Sequence, residues 1–348
     1  MSGSSSPSPP PPLRRGLGWR LGSTAVMASV GAVCRGFLYA FNTVEVTGLQ
    51  NLLGVLDRRK TQGKDRGLIT VCNHLAVVDD PLIWGILPMR YAFDVENLRW
   101  SLAAHDICFK NSLTSAFFNL GQTLPTHRLW HSELGGLYQP TMTQALGLLS
   151  GPSSMPKITH PTYSTNGTDV VPAPGFYTAN RHAWVHVFPE ACCHQSDDSS
   201  LRYFKWGVSR LILESDPAPE FVPMFVDGTQ RIMPEDRGFP RFLPRVGNRI
   251  RVAIGAPADA DVLFGAYRQR WRRLREGKTD EELRHGPEAV QLRIELAKAV
   301  RDEILKMRAT LGLPREEDET AALAETWDKE PNKRKFKSPV DGSLVNRH

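Results

Sequence analysis

The sequence has few cysteines, and their arrangement does not support a disulfide framework. The five cysteines in 348 residues are odd in number and irregularly spaced: Cys34, Cys72, Cys108, Cys192 and Cys193. No pair of CxxC motifs is present, which removes a common type of structural zinc site. Residues 192–198, CCHQSDD, contain metal-ligand types, but two adjacent cysteines fit a tetrahedral site poorly. The sequence therefore predicts neither a metal nor any other cofactor.

Acidic residues are absent from the first 44 positions, where the only charges are Arg14, Arg15, Arg20 and Arg35. An Arg-rich, Ser-containing and acid-free start is typical of mitochondrial targeting segments. A plain basic tail is an equally consistent interpretation. Within this start, residues 1–15 are rich in Ser and Pro and are predicted to be disordered.

The sequence also lacks a long uninterrupted apolar run near its start. Residues 21–34 are uncharged, but Arg35 separates them from the apolar residues 36–44. A helix that crosses the hydrocarbon core needs about 20 apolar residues. We therefore predict that residues 16–47 form an embedded or interfacial membrane anchor rather than a spanning helix. A buried first helix of the catalytic domain is the alternative.

Signatures of nucleic-acid binding and internal repeats are missing as well. The net charge of +6 and the pI of about 9.1 are mildly basic, which suits an anionic membrane surface. We predict that surface as a partner and no nucleic acid. The length allows one large domain with extensions.

The most informative stretch is residues 68–81, LITVCNHLAVVDDP. Its apolar, β-branched start predicts a buried strand, and the Asp-Pro pair before LIWGIL predicts a capped helix start. The strand would deliver His74 to a loop, where Asp79 could orient one imidazole nitrogen and leave the other to take a proton. No GxSxG motif is present, so the pair suits a reaction in which a substrate hydroxyl is the nucleophile. On spacing alone, a helix-capping Asp beside a surface His is equally consistent.

Strand and helix patterns alternate along the chain, which predicts an α/β fold with a central mixed sheet flanked by helices. The expected organisation is an N-terminal membrane anchor, a catalytic domain at 48–260 with an inserted loop at 150–182, C-terminal helices at 261–312 and a charged, disordered tail at 313–348.

Five blocks in order resemble the glycerolipid acyltransferases, and most closely their phospholipid–lysophospholipid transacylase branch: NHLAVVDDPLIWGIL, LRWSLAAHDICFKN, FFNLGQTLPTHR, VHVFPE and LRYFKWGVSRLI. The resemblance implies that His74 and Asp79 are catalytic in CoA-independent acyl transfer from phosphatidylcholine to lysophospholipids. It further implies remodelling of cardiolipin from monolysocardiolipin on mitochondrial inner and outer membranes facing the intermembrane space, with oligomers or assembly into membrane complexes as further expectations.

The resemblance also indicates further site residues. Substrate contacts are expected at Arg128, Glu190, Arg202 and Lys205, and supporting roles at Asn73, Asp80, Pro81, Gly121, Phe188 and Pro189. An arginine fork matches a phosphate bidentately, which favours a headgroup contact for Arg128. Arg202 and Lys205 would present two cations at a helix start. Without the resemblance, each of these cations is equally consistent with a solvated surface residue. Backbone amides near Gly121 or residues 189–191 are the candidate oxyanion donors.

Two positions depart from the family pattern. Ala76 replaces the usual Ser, and Ala191 replaces the Gly of FPEG. If the family Gly has positive φ, alanine there costs about 1 kcal/mol or the loop adjusts. Neither departure removes the His74–Asp79 pair, but together they leave open a weaker enzyme or a non-catalytic membrane lipid-binding protein. A CoA-dependent lysophospholipid or glycerol-phosphate acyltransferase using the same pair is a separate alternative.

Overall fold

The structure is a computed structural model that describes residues 13–129, 132–152, 158–196, 198–316, 319–324, 335–337 and 344–346.

An eight-stranded mixed sheet organises the fold, and its main path runs β1-β9-β8-β2-β7-β3-β4, with β10 paired to β8. The strands are β1 (Thr43–Thr47), β2 (Leu68–Val71), β3 (Arg99–Ala104), β4 (Thr123–Thr126), β5 (Thr162–Tyr163), β6 (Val171–Pro172), β7 (Trp184–Val187), β8 (Glu220–Asp227), β9 (Arg249–Ile254), β10 (Ala258–Asp259), β11 (Lys335–Lys337) and β12 (Leu344–Asn346). The predicted α/β class with a mixed sheet is confirmed.

Five neighbouring strands, β4, β3, β7, β2 and β8, run parallel. Their carboxyl ends therefore meet at one edge of the sheet, here called the carboxyl edge. Strand β2 lies between β7 and β8, and all four of its residues are buried. A continuous apolar run is what a parallel strand covered on both faces requires. The chain leaves β2 at the carboxyl edge and continues directly into His74.

Helices cover both faces of the sheet. They are α1 (Leu17–Phe41), α2 (Leu49–Gln62), α3 (Asp79–Leu82), α4 (Met89–Ala92), α5 (His105–Cys108), α6 (Ser112–Leu120), α7 (Pro140–Leu149), α8 (Gly207–Glu214), α9 (Thr229–Ile232), α10 (Ala260–Leu263), α11 (Gly265–Gly277), α12 (Asp280–His285) and α13 (Pro287–Thr310). Ile69 and Val71 pack with α7, α8, α11 and α13, whereas Leu68 and Cys72 pack with α1 and α2. Alternate residues of one strand thus supply two separate cores.

The helix predicted to follow Asp-Pro is shorter than expected. Helix α3 covers only Asp79–Leu82, a turn of 3₁₀-helix follows at Ile83–Ile86, and neither has a side-chain cap. The prediction of a capping aspartate is wrong because both acids are used elsewhere. Asp79 bonds to the loop before the helix, and Asp80 forms an ion pair with Arg99.

The N-terminal segment is one helix rather than two apolar runs. Helix α1 has 25 residues and contains an 18-residue stretch with a mean hydropathy of 1.4, so it is long and apolar enough to cross a membrane by length and composition. Arg35 does not interrupt it, because its guanidinium donates to the carbonyls of residues 85–87. Gly85 permits this packing, since a Cβ there would lie 2.8 Å from the backbone of α1. Residues 43–47, predicted within the anchor, instead form edge strand β1 beside β9.

The inserted loop and the tail contain some regular structure. In the described part of the insert, β5 pairs with β6, and 3₁₀ turns occur at Pro174–Phe176 and Thr178–Asn180. In the tail, where no structure was expected, Glu319–Ala322 forms a 3₁₀ turn and β11 pairs with β12. The basic composition of the tail gave no indication of these two strands of three residues each. Of the predicted disordered start, residues 1–12 lie outside the described residues.

Candidate active site

Asn73 fixes the chain directly after β2. Its side-chain amide donates to the Val226 carbonyl at 2.9 Å, and its Oδ1 accepts the Val226 N–H at 2.8 Å. Asn73 is completely buried, so both bonds satisfy groups that water cannot reach. The side chain thereby binds to β8 as a further strand residue would, and the backbone of His74 is held at the carboxyl edge.

His74 and Asp79 form the pair expected from their spacing. His74 Nδ1 lies 2.9 Å from Asp79 Oδ2, and the same oxygen accepts the N–H groups of Leu75 and Ala76 at 2.6 and 2.9 Å. Ala76 contributes through its backbone, so the loop closes without the family's serine hydroxyl. The Asp79 side chain is buried, whereas that of His74 is 21% exposed. A carboxylate at Nδ1 assigns the imidazole proton to that nitrogen and leaves Nε2 able to accept another.

Glu190, expected to contact substrate, is only 2% exposed and binds the backbone instead. Its two carboxylate oxygens accept the N–H of His74 at 2.9 Å and the N–H of Arg202 at 3.0 Å. Burial raises the pKa of Glu190 to about 7, although both N–H groups oppose the shift. Its side chain therefore ties the His74 loop to the segment before α8. A sequence motif gives no indication of whether a glutamate faces a ligand or its own backbone.

Phe188 packs against the catalytic candidate. Its ring stacks on His74 at 4.4 Å between centroids and meets His186 edge-on at the same distance. His186 is buried in β7, and its Nδ1 lies 2.7 Å from Thr70 Oγ1, which also accepts the Trp184 indole N–H at 2.8 Å. The His74 ring therefore packs on the Phe188 ring, which in turn packs on a hydrogen-bonded histidine, His186. Sequence reasoning missed His186, although a histidine within an apolar strand was a visible signal.

His186 should make the protein sensitive to acid. Burial lowers its pKa from 6.5 to about 3, so between these values the unfolded chain binds a proton that the folded chain does not. The stability present above pH 6.5 is therefore lost progressively as the pH falls toward 3. We expect His186→Asn, which keeps an amide near Thr70, to lose less unfolding free energy from pH 7 to pH 4. His160→Asn, at an exposed position, is the control and should follow the parent; equal slopes for all three would contradict the prediction.

Asp80 and Pro81 lie in α3, directly after Asp79. Asp80 forms an ion pair with Arg99 of β3, and the two side chains are 16% and 7% exposed. Burial alone would raise the pKa of Asp80, but the guanidinium of Arg99 brings it below its usual value. The pair connects the end of the His74–Asp79 loop to the sheet. Pro81 follows within α3 and has no polar contact to offer a substrate.

Arg128 lies at the carboxyl edge, two residues beyond β4. Its guanidinium forms an ion pair with Asp106, with Nε 3.2 Å from Oδ1. A phosphate at this position would have to compete with that carboxylate. The headgroup role predicted for Arg128 therefore remains a proposal.

The spacing of Arg202 and Lys205 predicted that both lie at a helix start. The structure differs, because α8 begins only at Gly207. Arg202 is 9% exposed, and its Nη1 lies 2.6 Å from the sulfur of Cys192. The Lys205 N–H donates to the Pro189 carbonyl at 2.8 Å, while its amine bonds to the Tyr203 hydroxyl. Both cations are thus held close to the Glu190 loop by local contacts.

Of the backbone amides predicted as oxyanion donors, those of Gly121 and Ala191 are already bonded to carbonyls. The N–H of Gly121 bonds to the Phe117 carbonyl at 2.8 Å, and the N–H of Ala191 bonds to the Phe188 carbonyl at 3.1 Å. Gly121 also precedes β4, which puts it at the edge of the sheet opposite His74. The prediction for Gly121 is wrong because a motif shows which residues follow each other, not which end of the strand faces the site.

Ala191 has the positive φ that its replacement of glycine implied, at 55°. An alanine in the left-handed region is strained by its Cβ. We expect Ala191→Gly to raise the free energy of unfolding by about 0.5–1 kcal/mol in chemical denaturation. Ala104→Gly is the control, since Ala104 has a φ of −61° and should become less stable. A loss of stability in Ala191→Gly would show that the strain is absent.

Two further residues at the site were missed by sequence reasoning. Cys193 Sγ lies 3.6 Å from His74 Nε2, beside the nitrogen that would accept a proton. Gln195 donates to the carbonyls of Leu75 and Met233 at 3.0 and 3.1 Å. They lie three and five positions after Glu190, the last residue of the FPE block, and that proximity was the available signal. Within the part of the chain that the structure describes, no three His, Cys, Asp or Glu side chains group as metal ligands.

Comparisons with known proteins show to which family the chain is similar. The sequence pattern of the Acyltransferase family matches residues 43–227, from the start of β1 to the end of β8. Tafazzin from Saccharomyces cerevisiae is 34% identical over 350 residues, covering 95% of this chain and 89% of that protein. N-acylphosphatidylethanolamine synthase from Arabidopsis thaliana is 31% identical, covering 69% and 71%. Among solved structures, the 1-acyl-sn-glycerophosphate acyltransferase PlsC from Thermotoga maritima aligns with a TM-score of 0.45 and 16% identity, over 86% and 83% of the two chains.

Proposed function

Because the chain belongs to the acyltransferase family, we propose that it moves a fatty acyl chain from a phospholipid to a lysophospholipid hydroxyl without CoA. The similarity to a protein named Tafazzin over 95% of the chain supports this choice within the family. The physiological pair would be phosphatidylcholine as donor and monolysocardiolipin as acceptor, so that the reaction remodels cardiolipin in mitochondria.

The observation that carries the proposal is the bond of 2.9 Å between His74 Nδ1 and the buried Asp79. His74 Nε2 would take the proton from the acceptor hydroxyl, whose oxygen attacks the donor's ester carbonyl. Asp79 would hold the tautomer and stabilise the imidazolium. When the tetrahedral intermediate collapses, Nε2 returns the proton to the departing oxygen, which leaves as a new lysophospholipid. The two half-reactions are chemically the same, so no further co-reactant is needed.

Headgroup binding would use the cations near the carboxyl edge. Arg128 would exchange Asp106 for a lipid phosphate, and Lys205 lies beside the Pro189 loop with its amine on a neutral hydroxyl. Arg202 and Glu190 would act mainly by positioning, since both are buried and the Glu190 carboxylate accepts the backbone N–H of Arg202. Asn73, Asp80 and Phe188 would hold the His74 loop in the geometry described above.

Helix α1 is the proposed membrane anchor, in a protein acting on mitochondrial membranes toward the intermembrane space. Leu17, Leu21 and Val33 are 68%, 63% and 71% exposed, although the helix is apolar. Water is a poor solvent for such a surface, and the headgroup region or lipid core would cover it. The acid-free, Arg-containing start of the chain supports the mitochondrial assignment.

The test is acyl transfer between labelled phosphatidylcholine and monolysocardiolipin in vesicles without CoA, with His74→Ala as the matched inactive protein. Label should reach cardiolipin with the parent and not with the variant. Transfer only after acyl-CoA is added would favour the CoA-dependent alternative. With phosphatidylethanolamine added to the vesicles, label on its amine rather than in cardiolipin would move the acceptor to the class named by the Arabidopsis thaliana relative. Vesicle binding without transfer from either donor would favour the non-catalytic lipid-binding alternative.

A further inference from the structure

The segment between α9 and β9 carries an unusual concentration of exposed apolar side chains. In residues 234–248, here called the arginine loop, Phe239, Phe242, Leu243 and Val246 are 92%, 79%, 49% and 59% exposed. Single exposed apolar residues are ordinary on protein surfaces, but four within eight positions form a patch.

The loop has an internal framework of arginine side chains. Arg237 donates to the carbonyls of Pro234 and Arg241, Arg241 donates to that of Glu235, and Arg245 donates to that of Gly238. These bonds satisfy backbone carbonyls that a loop otherwise offers to water. The loop is therefore built to hold its shape while its aromatic side chains point outward, rather than to fold them into a core.

The charge around the patch is positive. From residue 237 to residue 248 the sequence has three arginines and no acidic residue; Arg241 is exposed and Arg245 partly exposed, whereas Arg237 is buried. Glu235 and Asp236 precede this stretch within the loop. Exposed apolar side chains with Arg241 and Arg245 between them match an anionic lipid surface, where the aromatic rings enter the acyl boundary and the two cations meet phosphate.

The loop adjoins both the proposed anchor and the proposed active site. Its Gly247 N–H donates to the carbonyl of Phe41 at 2.8 Å, at the exposed C-terminal end of α1. At its other end, Gln195 bonds to Met233, Glu235 and Leu75, the residue after His74. The loop is thus one side chain away from the catalytic candidate and is hydrogen-bonded to the end of α1.

We propose that the arginine loop inserts Phe239, Phe242, Leu243 and Val246 into an anionic phospholipid surface and holds the His74 site against it. This inference rests on the proposed function for its purpose, since a lipid-remodelling site needs direct access to the bilayer. Gln195 then fixes the distance between the bound surface and His74. Helix α1 and the loop would contact the membrane at separate points, which orients the carboxyl edge toward the lipid.

The test places a photoreactive benzoylphenylalanine at position 242 of the full chain, bound to phosphatidylcholine vesicles that contain phosphatidylglycerol. Position 262 is the matched control: Val262 is 82% exposed but lies on α10, beside the amino end of β8. Irradiation should give a lipid adduct at 242 and little at 262, seen by mass spectrometry. Equal adducts at both positions, or none at 242, would overturn the proposal. An adduct between two protein chains at 242 would overturn it in favour of a contact between copies.

A second measurement separates this proposal from the proposed function. We expect Phe239→Glu with Phe242→Glu to lower transfer between vesicle lipids by about tenfold, because both rings would leave the bilayer. Transfer between short-chain lipids dispersed as monomers should be unchanged. An equal loss in both assays would indicate damage to the site rather than to the membrane contact, and would overturn the role of the loop. A parent protein that transfers nothing in either assay would refute the proposed function, while the adduct at 242 would still decide the lipid contact.

Discussion

Replacing His74 with alanine is expected to lower the rate of acyl transfer by about 10²–10⁴-fold, the range that a positioned general base contributes. The remaining contacts of the site would still bind lipid, so the loss should appear in kcat more than in KM. Asp79→Asn should also lower the rate, because its amide oxygen can replace Oδ2 toward the N–H groups of Leu75 and Ala76 but carries no charge to stabilise the imidazolium.

The control for this prediction is His105→Ala. His105 also lies at the carboxyl edge, in α5, but it stacks on His127 and is remote from Asp79 in the hydrogen-bond network. Its loss should leave most of the activity. Thermal melting of each variant checks that the fold is retained. If His74→Ala protein that melts like the parent still transfers acyl chains at the parent rate, His74 is not the base.

The largest effect on stability is expected at Arg99. Removing this guanidinium in Arg99→Met would leave Asp80 as an unpaired charge at a mostly buried position, which costs about 3–5 kcal/mol. Denaturant unfolding in a mild detergent would measure the change. Arg249→Met removes a partner from an ion pair on the surface, with side chains 62% and 45% exposed, and should cost far less.

The double variant Arg99→Met with Asp80→Asn gives the complementary measurement. It removes both charges, so it should recover a large part of the stability lost in Arg99→Met. Double and single variants of equal stability would show that Arg99 contributes through packing beside Trp84 rather than through its charge.

Much of the fold followed from the pattern of apolar residues. Buried parallel strands such as β2 and β7 need apolar side chains on both faces, so LITV and WVHV were identifiable as strands without a partner in view. The His74–Asp79 spacing was equally informative, because five residues allow one short loop to close on itself. These features depend on neighbours in sequence, which is why the sequence alone contains them.

Other features depend on residues that meet only after folding. Glu190 has the same letter whether it faces a phosphate or the N–H groups of His74 and Arg202, and its burial decided between them. Gly121 belonged to a motif block, but the direction of β4 put it at the far edge. Cys193 is close to His74 because two loops from β2 and β7 converge, and no spacing of one hundred and nineteen residues predicts that.

The packing of α1 has a practical consequence for preparing a soluble form. The Acyltransferase match begins at residue 43, which invites removal of everything before it. Yet Cys34 and Leu38 of α1 are buried against the turn that follows Asp79. Arg35 donates hydrogen bonds to the carbonyls of that turn. A chain shortened at residue 43 would expose the apolar back of its own catalytic loop and leave those carbonyls unbonded. Helix α1 and the sheet domain pack as one unit, so a soluble form must come from detergent, lipid nanodiscs or surface redesign rather than from truncation.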